Sequence, residues 1–334
     1  MTEDFKQELL QKLDQIGHRL DRIENLQQTA KMRLEGVLLS KLRRAWTRPP
    51  MWTYEQYRPR LLNLRSFVPP PQLESNAPLR IGIVTPSFNH SRYLSATIDS
   101  VLSQKYPELH YHVQDGGSAD GTRELLESRT GTVSWSSEPD TGQSNAINIG
   151  FRGVQCDIMA YLNSDDVLLP GTLNYIANHF TSHPDIDVVY GHRVFIDREG
   201  LEIGRAVLPT HDAKTLEYAD YIPQETMFWR KRVWDAIGPI DENFHYAMDW
   251  DFILRAQAAG FKFERLPRFL ACFRVHDQQK TAAAYSVGIV EMGKLRLRTL
   301  GFAPTHREIH RAIVPFVARQ FAYHWGYKTG LLKY

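Results

Sequence analysis

Two adjacent carboxylates, Asp165 and Asp166, follow an apolar run that ends at Leu162. Such side chains pack poorly in an apolar core. Their oxygen atoms, however, are the ligands that Mg²⁺ and Mn²⁺ prefer, and a diphosphate can complete the coordination. A polar turn with caps before Pro170 would have the same composition. The pair is therefore a candidate site for a divalent cation, with the capped turn as the alternative.

A second acidic position, Asp115, opens a glycine-rich stretch that ends at Thr122. Glycines let the backbone approach a ligand closely, and an aspartate at a strand tip can accept a hydrogen bond from a base or a ribose. Asp120, within the same stretch, is instead typical of a helix N-cap. We interpret Asp115 as a contact to a nucleotide.

A third acidic pair, Asp249 and Asp251, lies in an otherwise apolar stretch before Arg255. Burial raises the pKa of a carboxyl group toward values that suit a general base. Because Asp251 can pair with Arg255 one helical turn later, we interpret Asp251 as structural and Asp249 as the candidate base. His276, farther along the chain, is by spacing alone more typical of a structural histidine than of a metal ligand.

Alternating strands and helices must position these side chains. The apolar patterns predict strands at residues 79–84, 110–114, 132–136 and 158–162, with helices over 91–104, from about 120, and over 144–152. This order is typical of βαβ units and predicts an α/β fold with a mostly parallel central sheet flanked by helices. Ligands of such sheets bind beyond the carboxyl ends of the strands, where Asp115 and Asp165 are expected.

The segment before this domain has a heptad pattern. It predicts a coiled-coil-like helix over residues 1–45 that self-associates into a homo-oligomer, or else a helix that packs on its own catalytic domain. Prolines at 49–50 and 69–71 predict an extended linker over 46–78. The apolar heptad positions, with a weak centre at Gln27 and Ala30, are Leu9, Leu13, Ile16, Leu20, Ile23, Gln27, Ala30, Leu34 and Val37.

The end of the chain is basic, with eight Lys or Arg and two Glu over residues 289–334. We place the main domain at residues 79–285 and a basic helical tail at 286–334. The tail is either a solvated helix face or a peripheral contact to anionic lipid or a phosphate-bearing acceptor. Ile309, Ile313, Phe316 and Val317 can share one helical face, although Pro315 counts against a continuous helix.

Composition excludes several classes of function. A net charge of +2 over 334 residues gives no support to a nucleic-acid partner. Two cysteines, Cys156 and Cys272, are too few for a disulfide framework and are typical of a reducing compartment. The sequence has no stretch of about 18 apolar residues. We therefore expect a cytoplasmic protein, with peripheral contact at the inner face of the membrane through the tail.

Taken together, these motifs resemble the family 2 glycosyltransferases, which have the A-type nucleotide-diphospho-sugar fold. The matching pieces occur in the family's order over about residues 79–281. They are Thr85–Asn89, Gln104, Asp115–Thr122, Glu138–Gln143, Asn148–Gly150, Leu162–Asp166, Gln224, Gly238, Met248–Arg255 and Phe273–Thr281.

The resemblance implies a role for each matching residue. Asp115 would contact the base, usually uracil, in a pocket that Thr85, Ser87 and Asn89 also line, and Gln143, Asn163 and Ser164 would complete the donor site. Asp165, assisted by Asp166 and joined by His276, would bind Mn²⁺ or Mg²⁺ at the donor diphosphate. Asp249 would be the general base of an inverting transfer to a glycan or lipid-linked acceptor, in the synthesis of a cell-surface polysaccharide or lipopolysaccharide.

The sequence departs from the family pattern at four positions. Asn163 and Gly116 replace aspartates, Asn145 stands where an aspartate is frequent, and Met248 replaces the glutamate before the base. The neutral Asn163 and Met248 leave a non-catalytic nucleotide-sugar-binding scaffold as an alternative. A nucleotidyltransferase is a second alternative, but it usually needs a basic, glycine-rich phosphate loop after the first strand, and residues 85–89 do not form one.

Overall fold

The structure, a computed structural model, describes residues 50–334 except residues 70, 76, 278 and 280–284. The coiled-coil-like helix predicted over residues 1–45 lies outside the described residues, and so does the self-association assigned to it. The domain boundaries that the sequence predicts stay predictions. Within the described part, Pro50–Tyr334 form one compact unit.

The first half of the central sheet is entirely parallel. Strand β1 is buried along its whole length and lies between β2 and β4, while β3 pairs with the outer side of β2. The register aligns the carboxyl ends, since Ser87 is opposite Asp115 and Asp115 is opposite Ser137. The strands are β1 (Ile81–Ser87), β2 (Leu109–Asp115), β3 (Ser134–Ser137) and β4 (Ile158–Tyr161).

The second half of the sheet is mixed. The strand order continues from β4 through β8, β6 and β9 to β5, and β7 pairs with β6. β8 runs antiparallel to β4 and β6, whereas β6 and β9 are parallel. These strands are β5 (Val167–Leu168), β6 (Val188–Ile196), β7 (Glu202–Ala206), β8 (Phe228–Arg230) and β9 (Phe263–Arg274).

Helices cover the sheet and connect its strands, which confirms the predicted α/β architecture. In chain order they are α1 (Ser91–Leu102), α2 (Thr122–Ser128), α3 (Gln143–Gly150), α4 (Thr172–Ser182), α5 (Ala213–Leu216), α6 (Lys231–Ile237), α7 (Met248–Ala258), α8 (Tyr285–Leu300) and α9 (His306–Lys328). The first three helices and the first four strands lie within two residues of their predicted positions, except that β1 ends three residues later than predicted. Gly150 allows α3 to approach β1 closely, because a Cβ there would lie 2.5 Å from the Val84 side chain.

The stretch interpreted as a linker is, where described, part of the domain. Gln56 donates its backbone N–H to Ile203 at 2.8 Å, and Arg60 and Glu202 exchange two backbone hydrogen bonds at 3.1 and 2.7 Å. The Tyr54 ring packs on Phe195 with centroids 5.2 Å apart. These contacts extend the edge of the sheet beside β7 with residues 54–60.

The C-terminal tail also packs on the domain. A capping box of Thr305 and Glu308 begins α9, and the helix continues through Pro315, contrary to the expectation of a break. Phe316 is fully buried against Tyr221, with ring centroids 4.2 Å apart. The centre of the apolar face that the sequence offered to a membrane is thus already covered. Among the described residues, no helix combines the length and the apolar character needed to cross a membrane.

Candidate active site

A cavity of about 820 Å³ opens beyond the carboxyl ends of β1, β2 and β4. Its size is that of a small-molecule site. Six residues that the sequence singled out contribute to its lining: Ser87, Gln143, Asn163, Ser164, Asp165 and Asp249. The carboxyl edge of the parallel strands, the place predicted for a ligand, therefore does form a pocket.

Asp165, which lines this cavity, contacts His276, which is buried beside it. Asp165 Oδ2 lies 2.9 Å from His276 Nε2, and both side chains are largely buried. The sheet brings them together, since β5 follows Asp165, His276 follows β9, and the antiparallel pairing of these strands places Val167 opposite Cys272. A carboxylate oxygen and an imidazole nitrogen at this separation can both be ligands of one Mn²⁺ or Mg²⁺ ion.

The surroundings of His276 fix its ring. The Tyr93 ring lies 4.6 Å from it, centroid to centroid, at a tilt of 38°. His276 Nδ1 is buried and has no hydrogen-bond partner, so Nε2 is the nitrogen that faces a polar group. Within the described ranges no three His, Cys, Asp or Glu side chains form a metal-binding cluster. A cation held by Asp165 and His276 would therefore take its other ligands from the donor diphosphate and water.

Asp166 makes a contact of its own beside this pair, and its assistance to the metal stays a prediction. Its Oδ1 accepts the backbone N–H of Arg274 at 3.0 Å, and the side chain is buried away from the cavity. Burial, followed by the charge of Asp165, raises the pKa of Asp166 well above its ordinary value. Asp166 thus attaches the loop between β4 and β5 to β9.

Asp115 stabilises the loop that follows β2. Its carboxylate is fully buried and accepts hydrogen bonds from Gly117 N (3.1 Å), Ser118 N (2.9 Å), Ser118 Oγ (2.5 Å) and Ser137 Oγ (2.7 Å). Four bonds occupy the acceptor positions of a carboxylate. A contact between Asp115 and a base, which stays a prediction, would have to displace one of them.

Thr85 and Asn89 also face the protein rather than the cavity. Thr85 is fully buried, with its hydroxyl 3.1 Å from that of Tyr111. Asn89, in a left-handed conformation with φ of 54°, accepts the backbone N–H of Ala119 at 3.0 Å. These residues hold the loops after β1 and β2 together, and of the predicted base-pocket residues Ser87 is the one that lines the cavity.

A row of polar side chains crosses the floor of the cavity. Gln143 Nε2 donates to Asn163 Oδ1 at 2.7 Å, and Asn163 Nδ2 lies 3.3 Å from Gln224 Oε1. The Ser164 hydroxyl lies 2.7 Å from His90 Nδ1. These bonds fix the direction of the Asn163 amide, so it can present a dipole to a ligand without adding a charge.

The candidate base, Asp249, lies at the start of α7 and is partly exposed to the cavity. Its Oδ1 accepts the backbone N–H of Trp250 at 2.8 Å. Asp251 has a different environment: it is fully buried and pairs with Arg255 at 2.8 Å and Arg298 at 2.6 Å. The structure thus shows the Asp251–Arg255 pair that the sequence predicted and leaves Asp249 as the carboxylate of this helix at the cavity.

The sequence matches the glycosyl transferase family 2 over residues 82–251, half of the chain. This match includes most of β1, the loop with Asp165 and Asp166, and Asp249. The chain belongs to glycosyl transferase family 2. It is a glycosyltransferase, as the motifs of its cavity predicted.

Sequence relatives are glycosyltransferases by name. An uncharacterised glycosyltransferase of Mycobacterium tuberculosis is 30% identical over 180 residues, which are 53% of this chain and 68% of that protein. The chondroitin synthase of Escherichia coli is 27% identical over 184 residues, 54% of this chain but 27% of the synthase. This glycosyltransferase therefore corresponds to only a part of the larger synthase.

Solved structures share its fold. The crystal structure of Staphylococcus aureus TarS residues 1–349 in complex with UDP-GlcNAc has a TM-score of 0.56, with 17% identity and 73% of each chain covered. The mannosyltransferase PcManGT from Pyrobaculum calidifontis, in complex with GDP-Man and Mn²⁺, has a TM-score of 0.53 at 15% identity and covers 86% of this chain and 76% of its own. At such identities the likeness confirms the A-type fold.

One departure of this family 2 glycosyltransferase from the family pattern has a structural reason. Position 116 is glycine, and a Cβ there would lie 2.7 Å from Asp140 Oδ2. Asp140 thus fills the space beside Gly116 with its own carboxylate, and both residues line the cavity. Burial and then the charge of Asp115 raise the pKa of Asp140, while a hydrogen bond from Gly142 N lowers it. The motif 138–143 contained this residue, but its spacing did not mark it as a site residue.

A second carboxylate missed by the sequence reasoning is Asp220, which lines the cavity together with Asp249. Burial, followed by the charge of Asp249, raises the pKa of Asp220 well above its ordinary value. Asp220 precedes the short 3₁₀ helix Gln224–Thr226 in an irregular segment. No periodicity or motif in that segment indicates that its side chain reaches the cavity.

Proposed function

We propose that this glycosyltransferase is an inverting enzyme that moves a sugar from a UDP-linked donor to an acceptor hydroxyl. The observation that carries the proposal is that one cavity is lined by Asp165, which contacts His276, and by Asp249. Such a cavity has a place for a diphosphate at one side and a base at another. A donor and an acceptor can then meet between them.

The carboxylate oxygen of Asp165 and the imidazole nitrogen of His276 fit the ligands of a divalent cation, Mn²⁺ or Mg²⁺. When bound, such a cation neutralises the negative charge that develops on a departing nucleoside diphosphate. The chain itself contributes the two ligand atoms and fixes their direction through the β5–β9 pairing. Gln143, Asn163 and Ser164 orient the donor with hydrogen bonds that cost little reorganisation, because their own partners are already in place.

Asp249 acts on the acceptor. Its carboxylate takes the proton of the acceptor hydroxyl while that oxygen attacks the anomeric carbon. The new C–O bond forms on one face of the sugar as the bond to the diphosphate oxygen breaks on the other. A single base and no nucleophile on the protein give inversion at the anomeric carbon, by the logic of sugar hydrolysis.

The names of similar proteins support the donor and the setting. Structures of TarS are bound to UDP-GlcNAc and to UDP, although PcManGT is bound to GDP-Man. Relatives include a chondroitin synthase and an O-antigen biosynthesis protein of Myxococcus xanthus. We therefore propose a role in cell-surface polysaccharide or lipopolysaccharide synthesis, with a glycan or lipid-linked acceptor.

A thermal-shift screen of nucleotide sugars with Mn²⁺, followed by donor hydrolysis, tests the proposal. Ligand at a hundred times its Kd should stabilise the folded protein by about 2.7 kcal/mol. We expect a UDP-sugar to give a large shift that needs the cation, and slow hydrolysis without an acceptor. Binding without turnover in the presence of any acceptor would instead support the scaffold alternative, and a larger shift with a GDP-sugar would overturn the UDP assignment.

A further inference from the structure

The cavity has a wall that none of the donor-site motifs provides. It comes from residues 51–54, which lie upstream of the matched family region, and Met51, Trp52 and Tyr54 all line the cavity. We propose that this wall is the acceptor subsite and that the acceptor is a glycan whose terminal ring stacks on Trp52. The inference rests on the proposed transferase function and assigns its acceptor side.

The wall is built into the fold. The backbone of this segment lies so close to β7 that a Cβ on Gly204 would be 2.5 Å from the carbonyl oxygen of Tyr54, which is why a glycine is needed there. The Tyr54 ring packs on Phe195 and on Phe273, with centroids 5.2 and 5.8 Å apart. Met51 is buried in the same core cluster. Trp52 therefore lies between two residues, Met51 and Tyr54, that are packed against the domain.

The wall adjoins a different part of the sheet from the loops proposed to hold the nucleotide. Those loops follow β1, β2 and β3, whereas Pro50–Trp52 pack on β7 and α9. In the sheet, β7 joins β6, and β6 is separated from β1 by β8 and β4. A donor whose nucleotide occupies the loops after β1 and β2 leaves this side of the cavity to the second substrate.

The chemistry of the wall fits a neutral sugar ring. Trp52 is 38% exposed and offers an aromatic face, and a pyranose has an apolar C–H face of matching size. The carboxylates of Asp220 and Asp249, which share this cavity, accept hydrogen bonds from hydroxyl groups. The positively charged Arg193, which also lines the cavity, is already paired with Glu225 by two hydrogen bonds. The negative charge of Asp249, beside an arginine that Glu225 already neutralises, disfavours a phosphate-bearing acceptor.

Transfer to methyl glycosides of common hexoses and hexosamines, from the donor found by thermal shift, tests the subsite. In the full-length Trp52→Ala variant, the KM for the methyl glycoside should be about tenfold higher than in wild type, since stacking on the indole is lost. Trp52→Phe should recover most of this loss. The KM of the donor and the rate of donor hydrolysis without acceptor should not change. Trp325→Ala, at a tryptophan that is 63% exposed on α9, is the matched control and should behave as wild type.

Several results would overturn the inference. They are an unchanged acceptor KM in Trp52→Ala, an equal rise in the Trp325→Ala control, and a rise in the donor KM alone. Transfer to decyl phosphate by an enzyme that uses no methyl glycoside would likewise replace the glycan acceptor with a lipid phosphate. Donor hydrolysis by the wild type reports on the proposed function separately, so its loss is distinguishable from failure of the subsite.

Discussion

Asp165 Oδ2 and His276 Nε2 lie 2.9 Å apart although 111 positions separate them in the sequence. The contact depends on the antiparallel register of β5 and β9, in which Leu168 is opposite Ala271. A slip of two residues would move His276 by about 7 Å along the strand and separate the two side chains. The sheet, and not local sequence, therefore determines whether this pair can share a cation.

His276→Ala should weaken the dependence of activity on Mn²⁺ and lower the affinity for the donor, because one of two side-chain ligands is lost. Loss of a group that merely supports a metal ligand typically costs about 10- to 100-fold in metal affinity, so loss of the ligand itself should cost at least as much. Titration of donor hydrolysis with MnCl₂ measures the change. His110→Ala, at an exposed histidine on β2, serves as the control. Superimposable titration curves for His276→Ala and wild type would reject the ligand role.

Truncation distinguishes the N-terminal segment from the wall beside β7. Removal of residues 1–45 should leave donor hydrolysis unchanged and, if the heptads self-associate, reduce the assembly to monomers in light scattering. Removal of residues 1–78 should also destabilise the protein by about 3 kcal/mol or more, since the buried Met51 and the partly buried Tyr54 lose their places in the core. Chemical denaturation compares the two variants.

Two outcomes would contradict these expectations. Equal assembly states before and after removal of residues 1–45 would rule out self-association through the heptads. Equal stability of the two truncated variants would show that residues 46–78 contribute nothing to the stability of the domain.

We expect Asp220 to make the stability of the protein depend on pH. Since burial and Asp249 raise its pKa in the folded state, its stabilising contribution is complete below the ordinary aspartate pKa of about 3.9 and is lost as pH rises through the raised value. Asp220→Asn cannot ionise, so its stability relative to wild type should improve as pH rises. Unfolding midpoints at pH 5 and pH 8 measure this difference. A constant difference between the two proteins at both pH values would contradict the raised pKa.

The sequence predicted the parallel half of the sheet because buried strands and glycine-rich loops alternate there without interruption. The identities of Asp165, His276 and Asp249 also came from sequence, through the family resemblance. The contact between Asp165 and His276 could not be read from local sequence, since it depends on the pairing of β5 with β9. Asp115 and Asp166 were correctly placed after strands, but only side-chain hydrogen bonds reveal that both face the protein.

The rest of the site had no local signal. In the sequence, Trp52 belongs to a stretch that prolines bound on both sides and that resembles a linker. Its place in the cavity depends on the contact between the Tyr54 backbone and Gly204, which are separated by about half the chain. Asp220 lies in an irregular segment where neither a helical nor a strand period applies. Proline runs predict an extended backbone, but they do not tell whether that backbone crosses solvent or lies along a sheet edge.

The last prediction compares Asp249 with Asp251, two positions farther along the same helix. A sugar hydroxyl is a weak acid, so its attack is slow unless a base takes the proton as the bond forms, and general-base catalysis contributes about 10²- to 10⁴-fold. Asp249→Asn keeps the size of the side chain but removes its basicity, so transfer should fall by at least 100-fold while donor and metal binding survive. Asp251→Asn should instead lower stability by about 1–3 kcal/mol, because Arg255 and Arg298 lose a buried partner, with a smaller effect on rate. Steady-state transfer rates, donor binding by calorimetry and unfolding midpoints for both variants separate the two roles. Near wild-type transfer by Asp249→Asn, or loss of its donor binding, would show that the base is another residue, and Asp220 would be the next carboxylate of the cavity to test.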